Sequence, residues 1–339
     1  MRERLSWVQT TEELEALFPE WSALWRQDGH ATPFQAPEWL VPWWHCFGGD
    51  LRTVCICDDN ALIGLLPFYV YREPHKGERQ LLPLGVGTSD YLDGVFSPRC
   101  DIEFIQKAAD FMCRDDGWDT LYLSQLRPGS KLLQALQFSA RKVEGQSCSR
   151  MPAVTVPELP QKLRRNAMYY RNRAQRAGHL EFVIGDASTW AEIFAALIRL
   201  QGERWGDRGE NGVFADERMI RWHREALPLL ERAGLLRLCA LRLNGEIIAV
   251  SYSLIDAPGH SDRTQYIYLP AFSTAYADLR PGTILTAMAI EHAAREGVQT
   301  IDMLRGDEDY KKLWHTEPVP TFGLVGRREQ EQQAGEIAA

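Results

Sequence analysis

The stretch Ile301-Asp302-Met303-Leu304-Arg305-Gly306-Asp307-Glu308-Asp309-Tyr310-Lys311-Lys312-Leu313-Trp314 decides how the chain is read. Its first four residues read as a short buried strand and Arg305-Gly306 as a break. Asp307, Glu308 and Asp309 crowd the start of a helix, where acids suit free N–H groups and the positive end of the dipole. Tyr310, Lys311 and Trp314 then follow close together. A strand end opening into a helix start is where α/β proteins tend to keep their sites. A plain connection with a solvated acidic cap accounts for the same residues.

Upstream, Pro281-Gly282-Thr283 starts a helix expected to run to about Glu296, and Arg263 to Leu269 reads as a strand. Leu235 to Leu243 and Glu246 to Ile255 flank Asn244-Gly245, a type I′ hairpin signal. The first half has the same order. Ser6 to Thr10 reads as a strand, and Thr11 to about Arg26 as a helix capped by Thr11. Residues 53–57 and 63–71 form a hairpin around Asp58-Asp59-Asn60. Arg79 to Phe96 is a strand broken by Gly85-Val86-Gly87-Thr88, Asp101 to Asp116 a helix, and Asp119 to Leu126 a strand. Gly117-Trp118-Asp119-Thr120 and Gly297-Val298-Gln299-Thr300 lie 297 − 117 = 180 residues apart, and Asn60 and Asn244 lie 244 − 60 = 184 apart. The chain therefore reads as two structurally similar halves, residues 1–150 and 151–328, with a disordered tail at 329–339. Helices at 189–205 and 216–233 flank the polar loop 207–212, expected to be mobile.

Hydrophobic residues make up 45% of the chain and charged residues 25%, which suits a soluble globular protein. The formal net charge of −8 argues against general nucleic-acid affinity. The cysteines lack CxxC pairs, and alternation puts Cys55 and Cys57 on one face of a core strand. No cluster has metal-ligand spacing. A reducing, cytoplasmic compartment is expected, with no transmembrane segment. Phe34, Trp39, Trp43, Trp44 and Phe47 read as core, and His223, His292 and His315 as surface or helix-face residues. The helix from Gln161 to Arg176 is basic within an acidic protein. It is either a solvated bridging face or an anion site on which Arg164 takes part.

The run Asp302-Met-Leu-Arg-Gly-Asp-Glu-Asp-Tyr-Lys-Lys-Leu-Trp, after a Pro-Gly-Thr helix start and a strand, resembles the GNAT acyltransferases. It is most similar to the branch associated with cellulose biosynthesis (CelD/BcsL-type). That branch resembles the FemAB peptidoglycan aminoacyltransferases in carrying two GNAT-like halves. The resemblance implies an α/β (α+β) fold: a tandem pair of GNAT-like (acyl-CoA N-acyltransferase) halves, with mixed, mostly antiparallel sheets flanked by helices. It implies an acyl-pantetheine chain lying between two splayed strands, Gln265 to Leu269 with Tyr266 and Tyr268, and Thr300 to Met303. Its pyrophosphate would rest on Arg280, Pro281, Gly282 and Thr283 at the next helix start. The loop departs from the family's usual Arg/Gln-x-x-Gly-x-Gly/Ala by keeping one glycine.

Tyr310 is a candidate acid toward the leaving thiolate, since a phenol held close is a competent donor, or else a buried aromatic capping the helix; by the resemblance Lys311 stabilises the oxyanion or the thiolate, and Arg305 joins them in the candidate catalytic set. Asp302 orients or deprotonates the amine, or pairs with Arg305 as scaffolding. Arg204, Trp205 and Arg164 are assigned to substrate binding, with Trp314 walling the pocket. The first half lacks Tyr-Lys-x-x-Trp and is expected to shape the acceptor cleft, with Ser89-Asp90-Tyr91 at the interface. The expected function is acetyl transfer from acetyl-CoA, without a metal, to an amine or sugar-linked acceptor in a direct ternary complex. Small-molecule or saccharide acceptors and an exopolysaccharide or envelope pathway are the implied partners. Alternatives are a FemAB-type aminoacyl-tRNA-dependent transferase and a non-catalytic polysaccharide-assembly factor.

Overall fold

Local signals explain most element boundaries. The computed structural model describes residues 3–136, 140–206, 209 and 211–328. The chain divides into two compact units: Met1–Ala31, Gly48–Gly145 and Thr321–Ala339 form the first, and Thr32–Phe47 with Gln146–Pro320 the second. A single cut at residue 150 therefore does not describe them. The aromatic segment after Ala31 goes with the second unit, and the strand Phe322–Arg327 goes with the first. The tail expected at 329–339 lies outside the described residues.

In the first unit Thr10, not Thr11, caps the first helix. Its hydroxyl accepts from Glu13 N–H while Glu13 reaches back to Thr10 N–H at 3.2 Å. The expected long helix is two helices, Thr11–Ala16 and Phe18–Gln27, because Pro19 lacks the N–H needed to continue the first. The strands Arg79–Pro83 and Thr120–Leu126 pair in parallel at Gln80↔Thr120 and Leu81↔Leu121 only. The helix Ile102–Cys113 packs Ile105, Ala108 and Met112 into a core with Leu81, Leu121 and Leu123. Cys55 and Cys57 are buried in the strand Thr53–Asp58, as alternation required.

The second unit has helices α1 (Pro37–Phe47), α2 (Gln161–Ala177), α3 (Trp190–Gly206), α4 (Glu217–Ala233), α5 (Pro281–Arg295) and α6 (Asp309–Leu313). Its strands are β1 (Cys148–Pro152), β2 (Leu180–Ile184), β3 (Leu236–Leu243), β4 (Glu246–Ile255), β5 (Thr264–Phe272), β6 (Thr300–Arg305) and β7 (Glu317–Val319). They form one sheet in the order β2-β3-β4-β5-β6-β1-β7. Every neighbouring pair is antiparallel except β5 and β6. Asn244 and Gly245, at φ 52° and 86°, make the hairpin turn between β3 and β4 as expected.

Both units contain a strand, two helices and an antiparallel hairpin, and later a strand, a helix and a strand parallel to the last; the first unit adds short strands and divides its strands between a four-stranded and a six-stranded sheet. In each, the strand beside the parallel pair comes from the other half of the sequence: Phe322–Arg327 in the first, β1 in the second. A bulge disturbs both closing pairs at matching places, and each leaves a non-glycine residue left-handed. Gln125 has φ 58° and Leu304 has φ 59°, an offset of 304 − 125 = 179.

Candidate functional site

The parallel pair β5–β6 opens part-way along. Thr264, Gln265 and Tyr266 pair with Thr300, Ile301 and Asp302, and pairing ends there although both strands continue. Just beyond, Tyr252 faces Leu269 and Ser253 faces Ile267, so Tyr268 is an extra, bulged residue on β5. Residues 267–272 and 303–305 therefore bound a splayed cleft between strands that belong to one sheet.

The cleft's aromatic side is built by α1, α3 and α4. Tyr268 meets Trp39 at 5.2 Å between centroids, Tyr252 at 5.4 Å and Phe34 at 6.1 Å. Trp39 in turn stacks edge-on to Trp222 at 4.5 Å, and Trp222 Nε1–H donates to Trp39 O. Tyr266 is buried, and its hydroxyl donates to Asp256 at 3.3 Å. His223 is not a surface residue. It lies fully buried among Trp39, Trp222, Phe194, Phe214, Tyr252 and Tyr268. Burial pushes its pKa down to about 3, so the ring is neutral, with Nδ1 3.3 Å from the Tyr252 hydroxyl. The signal was available in the sequence, since Met219, Trp222, His223, Ala226, Leu227 and Leu230 share one stripe of α4.

Beyond the last parallel rung, the chain turns sharply into α6. Gly306 has φ 115°, and a Cβ there would lie 2.3 Å from the Glu308 carboxylate, so the turn needs glycine. Lys311 is only 3% exposed. Its Nζ donates to Arg305 O at 2.6 Å, Leu304 O at 3.1 Å and Gly306 O at 3.4 Å, and pairs with Glu308 at 2.9 Å. The ammonium is committed to the strand end and presents no free donor to an oxyanion, contrary to the sequence expectation. Asp302 is fully buried; it accepts from Arg150 Nε at 2.6 Å and from Leu304 N–H at 2.8 Å. Its ion-pair partner lies on the neighbouring strand β1 and is Arg150, not the expected Arg305. Trp314 packs with Leu163, Ala167, Ile290 and Met303, which ties α6 to α2 and α5.

Tyr310 points elsewhere on α6 and remains 38% exposed. Burial, then Glu308, pushes its phenol pKa up to about 12, against a lowering by Arg204. The phenol therefore keeps its proton at neutral pH. Arg204 belongs to the last turn of α3, where its guanidinium carbon lies 5.5 Å from the centroid of the Phe272 ring and 5.9 Å from that of Trp205, a cation–π contact with each. Trp205 donates to Gln201 at 2.7 Å, and Gln201 donates to Pro270 O at 3.0 Å, which fastens α3 to the open part of β5. The structure thus sets Arg204 and Trp205 beside residues 270–272 of β5, with Arg204 in electrostatic reach of Tyr310, while Tyr268 faces Trp39 and Tyr252. It separates them from Arg164, which caps the turn before α2 through Pro157 O at 2.9 Å. Arg280 is left-handed at φ 51° and exposed at the start of α5.

This strand geometry has counterparts. Residues 161–312 match the family model of the acetyltransferase (GNAT) domain. The matched stretch lies within the second unit. No curated protein sequence matches the chain significantly. The fold is similar to the crystal structure of FemX, at 12% identity over 96% of this chain and 97% of that one, with a TM-score of 0.67. It is similar to the C-terminal domain of a putative lysylphosphatidylglycerol synthetase from Agrobacterium fabrum, at 14% identity over 95% and 93%, with a TM-score of 0.60. A tandem GNAT protein from the clavulanic acid biosynthesis pathway gives 11% identity over 97% and 100%, with a TM-score of 0.50. At such identities the likeness is one of fold: the chain is a tandem of GNAT-like units. The cellulose-associated branch is not distinguished by these matches.

The cleft suits an acyl-thioester arm in outline. The edges of β5 and β6 that face each other are unpaired from residue 267 onward, with the Tyr268 bulge at the start of the opening. Two features depart from a simple added strand. Pro270 has no N–H, and the Pro270 carbonyl already accepts from Gln201.

Proposed function

We propose that the protein is an acyltransferase that moves an acetyl group from acetyl-CoA to an amine or sugar-linked acceptor within one ternary complex. The observation that carries this reading is the splay of β5 from β6 after Tyr266 and Asp302, with the Tyr268 bulge at its start and a protonated Tyr310 beyond its end. The donor supplies an acyl group already activated as a thioester.

The chain's own residues then have distinct tasks. Strands β5 and β6 hold the donor extended and dry on the side closed by Phe34, Trp39 and Tyr268. Tyr310 holds a proton at its hydroxyl and gives it to the departing sulfur as the acceptor's bond to the acyl carbon forms and the carbon–sulfur bond breaks, and the proton the acceptor N–H or O–H gives up restores the phenol. Lys311, Asp302 and Arg150 act as positioning residues, fixing the bulge and turn from which Tyr310 projects. Arg305, half-buried at the end of β6, and Trp205 flank the acceptor side. The pathway we infer is exopolysaccharide or envelope metabolism, as in the cellulose-associated branch, with a saccharide or small-molecule acceptor on the cytoplasmic side. No helix among the described residues is long and apolar enough to cross a membrane.

Calorimetric titration with acetyl-CoA, followed by mass detection of acetylated candidate acceptors and of released thiol, tests the reading. Absence of acetyl-CoA binding at any accessible concentration would remove it. A second reading, an aminoacyl-tRNA donor, is favoured by α2, whose Lys162, Arg165, Arg171, Arg173 and Arg176 are all exposed beside Tyr169. Steeply salt-dependent tRNA binding, lost when these arginines are replaced, separates it from the first.

A further inference from the structure

Charges on a helix surface ordinarily pair with opposite charges three or four residues away. Arg199 with Glu203 and Arg295 with Glu291 do so in this chain. Helix α2 has no such option. Between Gln161 and Ala177 it carries Lys162, Arg164, Arg165, Arg171, Arg173 and Arg176 and no acid. Without those six the formal net charge would be −8 − 6 = −14. Arg164 donates to Pro157 O, while the other five are exposed and make no ion pair among the described residues.

Folding gains nothing from this placement. Lys162, Arg164 and Arg165 crowd the first turns, where the positive end of the helix dipole disfavours cations, and Pro160 supplies no side-chain cap. Lys162 with Arg165, and Arg173 with Arg176, are like charges one turn apart. A face that works against its own helix calls for an anionic partner.

The kind of partner follows from what stands among the cations. At about 100° per residue, Leu163, Ala167 and Ala174 form the buried stripe of α2, and Arg165, Met168, Tyr169, Asn172 and Arg176 stand opposite it. Met168 is 52% exposed and Tyr169 58%, so two large apolar side chains project from the crest. The Tyr169 ring is braced edge-on by Tyr170 at 5.2 Å. A bare phosphate backbone would satisfy the arginines but gives Met168 no apolar surroundings. An anionic membrane surface meets both demands, with headgroup phosphates for the cations and the acyl boundary just beneath for the apolar pair. The 17 residues of the helix span about 25 Å, long enough to lie along such a surface.

We propose that α2 docks the protein on an anionic lipid surface, with its arginines on headgroup phosphates and Met168 and Tyr169 entering at the level of the headgroups. The inference goes beyond the acyl-transfer reading and asks nothing of the cleft.

The full chain is mixed with vesicles of phosphatidylcholine alone and with vesicles of equal parts phosphatidylcholine and phosphatidylglycerol, and the bound fraction is measured by flotation at low and at physiological salt. Two variants accompany it, R165Q/R173Q/R176Q and M168S/Y169S, each checked by thermal unfolding to fold as the parent does. The parent binds the anionic vesicles and not the neutral ones, more weakly as salt rises. One cation at such a surface is worth roughly fivefold in partitioning, so the triple variant loses about a hundredfold. M168S/Y169S also binds more weakly and keeps the parent's salt dependence. A parent that floats with neither vesicle, or with both alike, overturns the proposal. So does M168S/Y169S binding equal to the parent's. A parent that leaves the anionic vesicles for an added RNA hairpin overturns it too, and gives α2 to the aminoacyl-tRNA reading.

Discussion

Replacing Lys311 with Met keeps the length of the side chain and removes its ammonium. Two carbonyls at 2.6 and 3.1 Å, Arg305 O and Leu304 O, then lose a charged donor inside a buried strand end. A buried acceptor left unpaired costs about 1–3 kcal/mol. The Glu308 partner is 56% exposed, so its share is small. The lost interaction sums to about 3 kcal/mol, offset in part by the apolar fit of Met. In a unit of this size that is a fall of roughly 6–12 °C in unfolding temperature. The assay is differential scanning calorimetry with hydrogen exchange of peptides spanning residues 300–314. Faster exchange confined to those peptides at first, with the loss of melting temperature, is the expected result. An unchanged melting temperature with unchanged exchange, but with lost turnover, would refute the reasoning and return Lys311 to the reacting atoms.

Other consequences are as concrete. Tyr310→Phe should lower turnover by about 10²–10⁴-fold with little change in donor affinity, and the parent's rate should show no loss of a protonated acid between pH 7 and 10, because the phenol is held near pKa 12; steady-state kinetics over pH checks both. His223 has a folded pKa of about 3, below its unfolded value of about 6.5, so the unfolded chain binds the proton more readily. Its contribution is complete above pH 6.5 and is lost as pH falls toward 3, at up to about 1.4 kcal/mol per pH unit, and His223→Leu should flatten that slope in denaturant titrations. Trp39→Ala should destabilise by about 3–5 kcal/mol and raise hydrogen exchange first in α4 and β4, although Trp39 belongs to the N-terminal part of the chain. Exchange raised first in the strand Thr53–Asp58 would contradict the assignment of α1 to the second unit.

How much of this was legible in the sequence follows from which forces are local. Turn chemistry is local, so Asn244-Gly245 and the Pro281 helix start stand where the residues put them. The succession of elements along the chain, read twice at near-constant offset, anticipated the tandem fold, while the division of the first unit's strands between two sheets left no sign. The exchange of segments is not local. Nothing in residues 32–47 says which sheet the tryptophans cover, because an all-round apolar helix fits any sufficiently large core. The matched bulges at Gln125 and Leu304 left no shared residue type, since one site needs only a backbone conformation and the two halves satisfy it differently. Lys311 misled because an exposed and a buried lysine look alike in a string; the carbonyls that take it belong to a turn set by Gly306. Arg150 gave no signal, lying on a short strand far from Asp302 in the chain. Gln201 did give one: it lies four residues after Leu197 on the buried stripe of α3, where a polar side chain implies a partner.

The central claim is that the donor lies between β5 and β6. Hydrogen exchange of the full chain with and without saturating acetyl-CoA measures this directly. The account predicts protection concentrated in residues 267–272 and 303–306. Protection confined to the first unit, or absent from both strands while the ligand is bound, would contradict it.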